Sequence, residues 1–320
     1  MTEIMQPIFS VIVPVYNEEL VLNECYNRLK KVLDTTNEPY EIIFINDGSV
    51  DSTLEKAIEL TRIDPKIKII NFSRNFGHQL AITAGMDNAM GRAIIIIDAD
   101  LQDPPEVILA MIKKWEDGYM VVYGKRLKRK GEGLFKKVSA KIFYKFLKSM
   151  TTVDIPVDTG DFRLIDRKVC DVLRLLPERN RYVRGLVSWV GFKQCAVEYN
   201  RDERFAGSTK YPLKKMLKFA SDGITAFSYK PLKLATFMGV SVSGLSFILI
   251  IVVVYQKLFT SRTIQGWTSL AALVLFFNGV VLIMLGIIGE YIGRIFDEVK
   301  GRPQYIIADK IGINQNQDKV

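Results

Sequence analysis

The stretch of sequence that most constrains the fold is a short run of isoleucines that leads directly into two aspartates. Residues 94–97 are all isoleucine, and Asp98 and Asp100 follow them. An unbroken β-branched run is typical of a strand buried on both faces of a parallel sheet. Because residues i and i+2 of an extended segment point the same way, both carboxylates can face one ligand beyond the strand's carboxyl end. Such oxygen ligands suit Mg²⁺ or Mn²⁺, although the same pair could simply end a strand and cap the helix after Pro104 and Pro105.

Strand and helix patterns alternate ahead of this stretch. Apolar runs at 9–15, 40–45 and 66–71 predict three more strands, and helical spacing or capping residues separate them. This alternation predicts an α/β domain with a doubly wound, Rossmann-like and mostly parallel sheet.

A polar cluster follows each predicted strand at its carboxyl end. Since these ends meet along one edge of a parallel sheet, we expect the four clusters to share one rim and to bind one ligand. Taken singly, each cluster could be no more than a turn or a helix cap. The clusters occupy residues 16–18, 46–49, 74–75 and 98–100.

Several common motifs are missing from the sequence. No G-x-G-x-x-G follows the first strand and no G-x-x-x-x-G-K-[ST] occurs anywhere, which argues against a dinucleotide enzyme or a P-loop NTPase. His78 is the only histidine, so we expect it to neighbour the site rather than to catalyse. Cys25, Cys170 and Cys195 are widely spaced and odd in number, which fits a reducing compartment.

Positive charge is concentrated in one region. The net charge is +9, and residues 113–148 contain twelve Lys or Arg against three Asp or Glu. A basic patch could serve nucleic acid, anionic lipid or a phosphorylated substrate, and the apolar segments nearby favour the last two. Residues 133–150 and 212–227 carry an apolar stripe at helical spacing. Both predict helices in a membrane interface, with a surface helix packed on the core as the alternative.

Two long apolar runs predict a membrane hairpin. Residues 232–254 and 269–292 are each long enough to cross a bilayer. The flanking Lys and Arg favour cytoplasmic ends, which predicts a multi-pass protein of the inner cell membrane with its large domain in the cytoplasm. Glycines in these runs would allow a homo-oligomer such as a tetramer. The predicted units are an α/β domain at 1–228, the hairpin at 229–294 and a cytoplasmic tail at 295–320.

Seven segments of the chain resemble a known family. SVIVPVYNEE (10–19), INDGSVDST (45–53), SRNFGHQLA (73–81) and DADLQDPPE (98–106) are together similar to the inverting family-2 glycosyltransferases of GT-A fold. TGDFRLIDR (159–167), RFAGSTKY (204–211) and IGEYIGRIFDEVKGRPQYI (288–306) resemble the membrane-bound polyprenyl-phosphate members of that family. Those members include dolichyl-phosphate mannose synthases and, more closely, bacterial bactoprenol glucosyltransferases. The similarity covers nearly the whole chain, in order.

The resemblance implies roles for the matching positions. The nucleotide sugar would be held by Pro14, Tyr16, Glu18, Asp47, Asn75 and Asp98. Mg²⁺ or Mn²⁺, with the diphosphate, would be held by Asp98, Asp100 and Gln102. The catalytic group would comprise Asp100, Asp161 and Arg163. The lipid phosphate or the diphosphate would be contacted by Arg163, Arg204 and Lys210, with Arg126 as a weaker match.

The implied acceptor limits what the site must do. A phosphate monoester with a second pKa of about 6 is mostly dianionic at neutral pH and needs little help from a general base. We therefore expect Asp161 to orient Arg163 or the acceptor rather than to act as a base. We also expect an extended loop to keep Asp98, Asp100 and Gln102 on one side.

The implied function is transfer of a single sugar, glucose, from UDP-glucose to undecaprenyl phosphate in the membrane, with no nucleic-acid partner. One alternative is a processive polysaccharide synthase, but its Q-x-x-R-W motif does not occur in the sequence. The other is a membrane scaffold that binds nucleotide or lipid without turnover, against which the intact acidic clusters argue.

Overall fold

A computed structural model describes residues 6–127, 159–176, 178–179, 181–202, 230–259 and 266–313. The interface helices predicted at 133–150 and 212–227 lie outside the described residues, as do Arg204 and Lys210. The strands are β1 (Phe9–Val15), β2 (Tyr40–Asn46), β3 (Ile67–Phe72), β4 (Ala93–Ile96), β5 (Val121–Arg126), β6 (Thr159–Asp166), β7 (Gln194–Tyr199) and β8 (Ile307–Ile311). The helices are α1 (Leu22–Asp34), α2 (Thr53–Ile63), α3 (His78–Asn88), α4 (Val107–Glu116), α5 (Arg167–Leu175), α6 (Val183–Trp189), α7 (Lys230–Phe259) and α8 (Trp267–Val299).

The eight strands form one sheet in the order β7-β5-β6-β4-β1-β2-β3-β8. The four strands at the start of the chain, β1 to β4, are parallel to their neighbours among themselves. Strand β6 runs antiparallel between β4 and β5, while β7 is parallel to β5. The prediction of a mostly parallel α/β sheet is therefore confirmed.

The central strands are buried because helices cover both faces of the sheet. Every residue of β1, β2 and β4 is buried. In β1, Val11 and Val13 pack into an apolar layer with α1, α2 and α4, whereas Ile12 packs on the other face with α3, α5 and α6. This alternation follows from the two-residue period of a strand. It makes β1 to β4 a rigid support for whatever follows their carboxyl ends.

Helices α7 and α8 contact each other and expose many apolar side chains. Phe247 is 65% exposed and Leu282 is 68% exposed, which is unusual for large apolar residues. Of the described residues, one segment, Phe276–Val299, is long and apolar enough to cross a membrane by length and composition. A hairpin of two membrane spans stays a prediction.

The segment after α8 corrects the predicted division of the chain. The sequence placed 295–320 in a tail separate from the α/β domain. Instead, α8 continues to Val299, and Ile307–Ile311 joins the sheet as an antiparallel edge strand beside β3. The sequence of this short strand does not indicate that it pairs with β3, because α7 and α8 lie between the two strands along the chain.

Candidate active site

A cavity of about 640 Å³ lies at the carboxyl ends of β1, β2 and β4. It brings together nine residues to which the resemblance gave roles, and those roles stay predictions. These residues are Pro14, Tyr16, Glu18, Asp47, Asn75, Asp98, Asp100, Arg126 and Asp161. His78, which was expected to neighbour the site, also lines the cavity. Arg163 and Gln102 are not among the lining residues.

One wall of the cavity is held in place by Asp47. Its carboxylate accepts hydrogen bonds from the backbone amides of Phe76 (2.6 Å) and Gly77 (3.0 Å). The Asn75 side-chain amide donates to the Asp47 carbonyl at 3.1 Å. Burial raises the pKa of Asp47, and the two backbone hydrogen bonds oppose that shift. The carboxylate therefore fixes the loop between β3 and α3 as well as facing the cavity.

The loop after β2 contains a glycine, Gly48, that packs directly against the loop after β3. Gly48 has a φ of 68°, and a Cβ built on it would lie 2.5 Å from the carbonyl carbon of Arg74. Only a residue without a side chain allows the loop after β2 to approach the loop after β3 this closely.

The two aspartates of the opening stretch both line the cavity, but the loop that carries them is not extended. Leu101 has a left-handed φ of 58°, and the Gln102 amide donates to Asp100 Oδ1 at 3.2 Å. The expectation of an extended loop from Asp98 to Gln102 is therefore wrong, whereas the role of Gln102 as a ligand stays a prediction. Leu101 itself is buried.

Asp98 lies in a crowded acidic environment. Burial, together with the charges of Asp161 and Asp100, raises the pKa of Asp98 to about 6, although His78 opposes the shift. Asp98 Oδ1 is buried and has no hydrogen-bond partner in the described part of the chain. Its nearest cationic atom is His78 Nε2 at 3.3 Å, in a geometry that does not make a hydrogen bond.

His78 bridges two carboxylates. Its Nε2 lies 3.3 Å from Asp98 Oδ1 and 3.2 Å from Asp161 Oδ2. Burial alone would lower the pKa of His78, but the two aspartates raise it to about 9. The two aspartates therefore favour the positively charged form of the imidazole.

The carboxylate of Asp161 is engaged by Arg184 rather than by Arg163. Arg184 Nε lies 2.8 Å from Asp161 Oδ1, and Arg184 Nη2 lies 3.1 Å from Oδ2. Burial alone would raise the pKa of Asp161, but Arg184 and His78 hold it well below its usual value. Arg163 is buried and donates to the backbone carbonyls of Asp161 (3.2 Å) and Gly160 (3.0 Å). Asp161 therefore contacts Arg163 through its backbone carbonyl, while its carboxylate pairs with Arg184; that Asp161 orients Arg163 or the acceptor stays a prediction.

A second ionic cluster, built around Asp103, contributes two arginines to the cavity lining. Asp103 is fully buried and pairs with Arg126 Nη2 at 3.1 Å. Tyr199 donates its hydroxyl to the same carboxylate and accepts from Arg126 Nε at 3.2 Å. Arg201 Nε lies 3.6 Å from Asp103 Oδ1 and makes no hydrogen bond among the described residues. Since Arg126 and Arg201 both line the cavity and share one carboxylate, this wall carries net positive charge.

Sequence patterns missed three members of these clusters. Arg184 and Arg201 lie outside every segment whose pattern suggested a site. Arg184 lies in α6 and Arg201 follows β7, and the folding of these later elements beside β4 and β5 brings both to the cavity. Asp103 is the third carboxylate of the DADLQD stretch (98–103), and its place there could have marked it as a candidate site residue.

The residues at the rim fit a divalent cation. No group of three or more His, Cys, Asp or Glu side chains in the described residues is spaced to hold a metal by itself. Asp98 and Asp100 nevertheless share the cavity, and the unsatisfied Asp98 Oδ1 is an oxygen ready for a cation. Mg²⁺ is commonly bound by one or two carboxylates together with substrate phosphates, which is the arrangement these two aspartates allow.

The mostly parallel sheet and the acidic, arginine-lined rim define an α/β protein with a polar cavity at the carboxyl ends of its strands. The model of the family described as glycosyl transferase family 2 matches residues 10–174, and that of the GtrB C-terminal hairpin matches residues 230–295. The chain belongs to glycosyltransferase family 2 and is a transferase.

Curated relatives match almost the full chain. The uncharacterized glycosyltransferase YkcC of Bacillus subtilis is 62% identical, over 97% of this chain and 96% of the relative. The SfII prophage-derived bactoprenol glucosyl transferase of Shigella flexneri is 43% identical, over 93% of this chain and 96% of the relative. Among solved structures, glucosyl-3-phosphoglycerate synthase from Mycobacterium tuberculosis with Mn²⁺, UDP-glucose and phosphoglyceric acid is 16% identical, with a TM-score of 0.46 over 68% of this chain and 78% of that one. So distant a likeness carries no argument about this chain.

Proposed function

We propose that this enzyme transfers one glucose from UDP-glucose to a membrane polyprenyl phosphate such as undecaprenyl phosphate. The observation that carries the proposal is that one cavity is lined by the carboxylates of Asp98 and Asp100 and by three arginines, which are Arg126, Arg184 and Arg201. A carboxylate pair suits a cation with a diphosphate, and arginines suit phosphate oxygens. The bactoprenol glucosyl transferase named among the relatives supports glucose as the sugar and a polyprenyl lipid as the acceptor.

The donor nucleotide is assigned to the β1 and β2 side of the cavity. Pro14, Tyr16 and Glu18 line that side, and the loop held by Asp47 closes it. Asp98 and Asp100 would hold Mg²⁺ or Mn²⁺, and a bound cation would neutralise charge on the leaving diphosphate. Gln102 stays outside this assignment.

The chain's own residues then perform positioning and charge shielding. The acceptor phosphate is already anionic, so it needs to be brought to the sugar carbon against the repulsion of the diphosphate. Arg126, Arg184 and Arg201 supply the positive charge for that approach, and Asp103 fixes two of them. Asp161, whose pKa is held well below its usual value, keeps Arg184 in place instead of accepting a proton.

The two long helices are assigned to the membrane. We place α7 and α8 as two spans, with the catalytic domain on the cytoplasmic face, because the family model for this hairpin matches and their apolar side chains are exposed. Arg204 and Lys210, with the segments at 133–150 and 212–227, would then face the lipid phosphate. Oligomerisation stays a prediction: of the six glycines within α7 and α8, only Gly239 has an atom of the described residues within 4 Å of an added Cβ.

The test is a transfer assay with purified protein, undecaprenyl phosphate, Mg²⁺ or Mn²⁺, and several radiolabelled nucleotide sugars. We expect labelled lipid from UDP-glucose, and its loss on chelation with EDTA. Asp98→Ala and Asp100→Ala should abolish transfer without lowering the thermal unfolding midpoint. Asp117→Ala removes an exposed carboxylate at the end of α4 and is the matched control, with activity retained.

Each alternative function has its own outcome in this assay. A labelled polymer would indicate a processive synthase. Nucleotide binding without any labelled lipid, from any donor, would indicate a scaffold and contradict the proposal.

A further inference from the structure

We infer that Tyr305, which follows the second long helix, positions the loop that binds the donor nucleotide. This loop, residues 73–77, connects β3 to α3 and is called the donor loop below. The inference rests on the proposed function for the identity of the nucleotide. It assigns a role to the RPQYI end of the C-terminal segment, which the transfer chemistry does not use.

Two aromatic contacts connect Tyr305 to the cavity wall. The ring of Tyr305 stacks on Phe72, with centroids 5.2 Å apart and an interplanar angle of 18°. Phe72 in turn meets Phe76 edge to face, at 5.6 Å and 84°. Phe76 lines the cavity, and its amide is one of the two that Asp47 holds. The position of the Phe76 ring therefore depends on Phe72 and on the ring that covers it.

Tyr305 also fixes the two elements that flank the donor loop. Its hydroxyl donates to Asp87 Oδ2 at 2.7 Å, near the C-terminal end of α3. The next residue, Ile306, accepts a hydrogen bond from the amide of Ser73 at 3.0 Å, where the donor loop begins. Beyond it, β8 pairs with β3. The segment thus holds β3 and α3 at a fixed separation, and the donor loop spans that separation.

A short tether joins this support to the hairpin. Helix α8 ends at Val299, and its Glu298 carboxylate accepts from the Arg179 amide at 2.9 Å. Gln304 Nε2 donates to the Glu178 carbonyl, also at 2.9 Å. The chain from α8 to Tyr305 is therefore fastened to the α/β domain, so the end of the hairpin and the donor loop are mechanically connected.

A simpler role for β8 is to cover an open sheet edge. That role predicts that substitutions in the segment lower the stability of the protein without changing its affinity for the donor nucleotide. Positioning predicts a donor-specific effect that follows the Tyr305 ring. The two roles differ in what they do to the donor KM at comparable stability.

The experiment compares Tyr305→Ala, Tyr305→Phe and Ile311→Ala in the full-length protein. Ile311 lies in β8, beyond Tyr305, and packs into the apolar layer that contains Ile69, so Ile311→Ala is the matched control for lost packing. We expect Tyr305→Ala to raise the KM for UDP-glucose and the Kd for UDP about 3- to 10-fold, the range that loss of an aromatic pair implies. The KM for undecaprenyl phosphate and kcat should stay within about twofold. Tyr305→Phe keeps the ring but loses the hydrogen bond to Asp87, so it should weaken donor binding less than Tyr305→Ala does, and Ile311→Ala should lower the unfolding midpoint only.

Two outcomes would overturn the inference. One is an equal rise in donor KM for Tyr305→Ala and Ile311→Ala; the other is an unchanged donor Kd in folded Tyr305→Ala. If Tyr305→Ala fails to fold, Tyr305→Leu replaces it, because Leu keeps apolar bulk without the stacked ring. UDP binding is measured by calorimetry without any acceptor, so a failure of lipid transfer leaves this comparison intact and counts against the proposed function alone.

Discussion

At the scale of single residues, the site is built from buried or half-buried carboxylates that each face a cation. Asp98 faces His78, Asp161 faces Arg184, and Asp103 faces Arg126. A buried charge without a partner is costly, so these pairs fix side-chain positions as well as charge. When one member of a pair is removed, the side chain of the other member loses its fixed orientation in the site.

The Asp161–Arg184 pair gives the first prediction. Asp161→Asn and Arg184→Gln should each lower kcat/KM by about 100-fold, because misplacement of a positioning group by about 1 Å has that order of effect. The double variant should be no worse than the poorer single variant, because both changes break one unit. Initial rates at saturating and limiting UDP-glucose provide the measurement.

Arg174→Gln is the control for this cycle, because Arg174 is an exposed arginine that pairs with Asp87 and Asp171 outside the cavity. Its kcat/KM should stay within about twofold of the parent. Losses that multiply in the double variant would assign Asp161 a role independent of Arg184, such as that of a base.

At the scale of elements, the cavity depends on how closely two loops approach each other. Gly48, after β2, touches the backbone of Arg74, after β3, and Asp47 bonds to the donor loop beyond it. The donor side of the site is therefore made by loop contacts across adjacent parallel strands.

A comparison of Gly48→Ala with Gly118→Ala distinguishes the effect of the close contact between the two loops from the effect of backbone strain at a positive φ. Both glycines have positive φ, but an added Cβ at Gly118 meets nothing within 4 Å among the described residues. Each change should lower the free energy of unfolding by about 1–2 kcal/mol through strain in φ. Gly48→Ala should lower it further and weaken UDP binding, because the donor loop must move. Thermal unfolding and UDP calorimetry measure both effects, and equal destabilisation with unchanged UDP affinity would contradict the role of the contact.

Local patterns could predict the elements whose burial is dictated by their own residues. The run at 9–15 coincides with β1, and the isoleucine run marks β4, since such β-branched strands are buried on both faces. The turn at Leu101, the antiparallel insertion of β6 and the pairing of β8 depend on distant partners, so no local period reveals them. The same holds for the site: residues after the parallel strands could be found, whereas Arg184 and Arg201 arrive by tertiary packing.

At the scale of the whole molecule, the hairpin determines where the site operates. If α7 and α8 cross the bilayer, their connection and the end of α8 must lie on opposite sides. The sequence between 113 and 148 places positive charge on the catalytic side, where anionic head groups would attract it.

Cysteine labelling tests this arrangement in intact cells. A membrane-impermeant maleimide should label Gly266→Cys, before α8, from outside the cell. It should label Lys300→Cys, after α8, only once the cells are permeabilised. The parent protein gives the background, since Cys25 and Cys170 are buried and Cys195 is partly buried. Labelling of both positions, or of neither, in intact cells would contradict two membrane spans.

The edge strand β8 also has a consequence for the order of assembly. A ribosome finishes β3 long before it reaches Ile307, and both hairpin helices are made in between. Until then, one edge of the nascent sheet is unpaired, and an open edge invites pairing with other chains. The catalytic domain therefore cannot complete its sheet until the hairpin has been synthesised. A chain that stops before Ile307 would keep its helices and its acidic rim, yet would lack the strand that closes the fold.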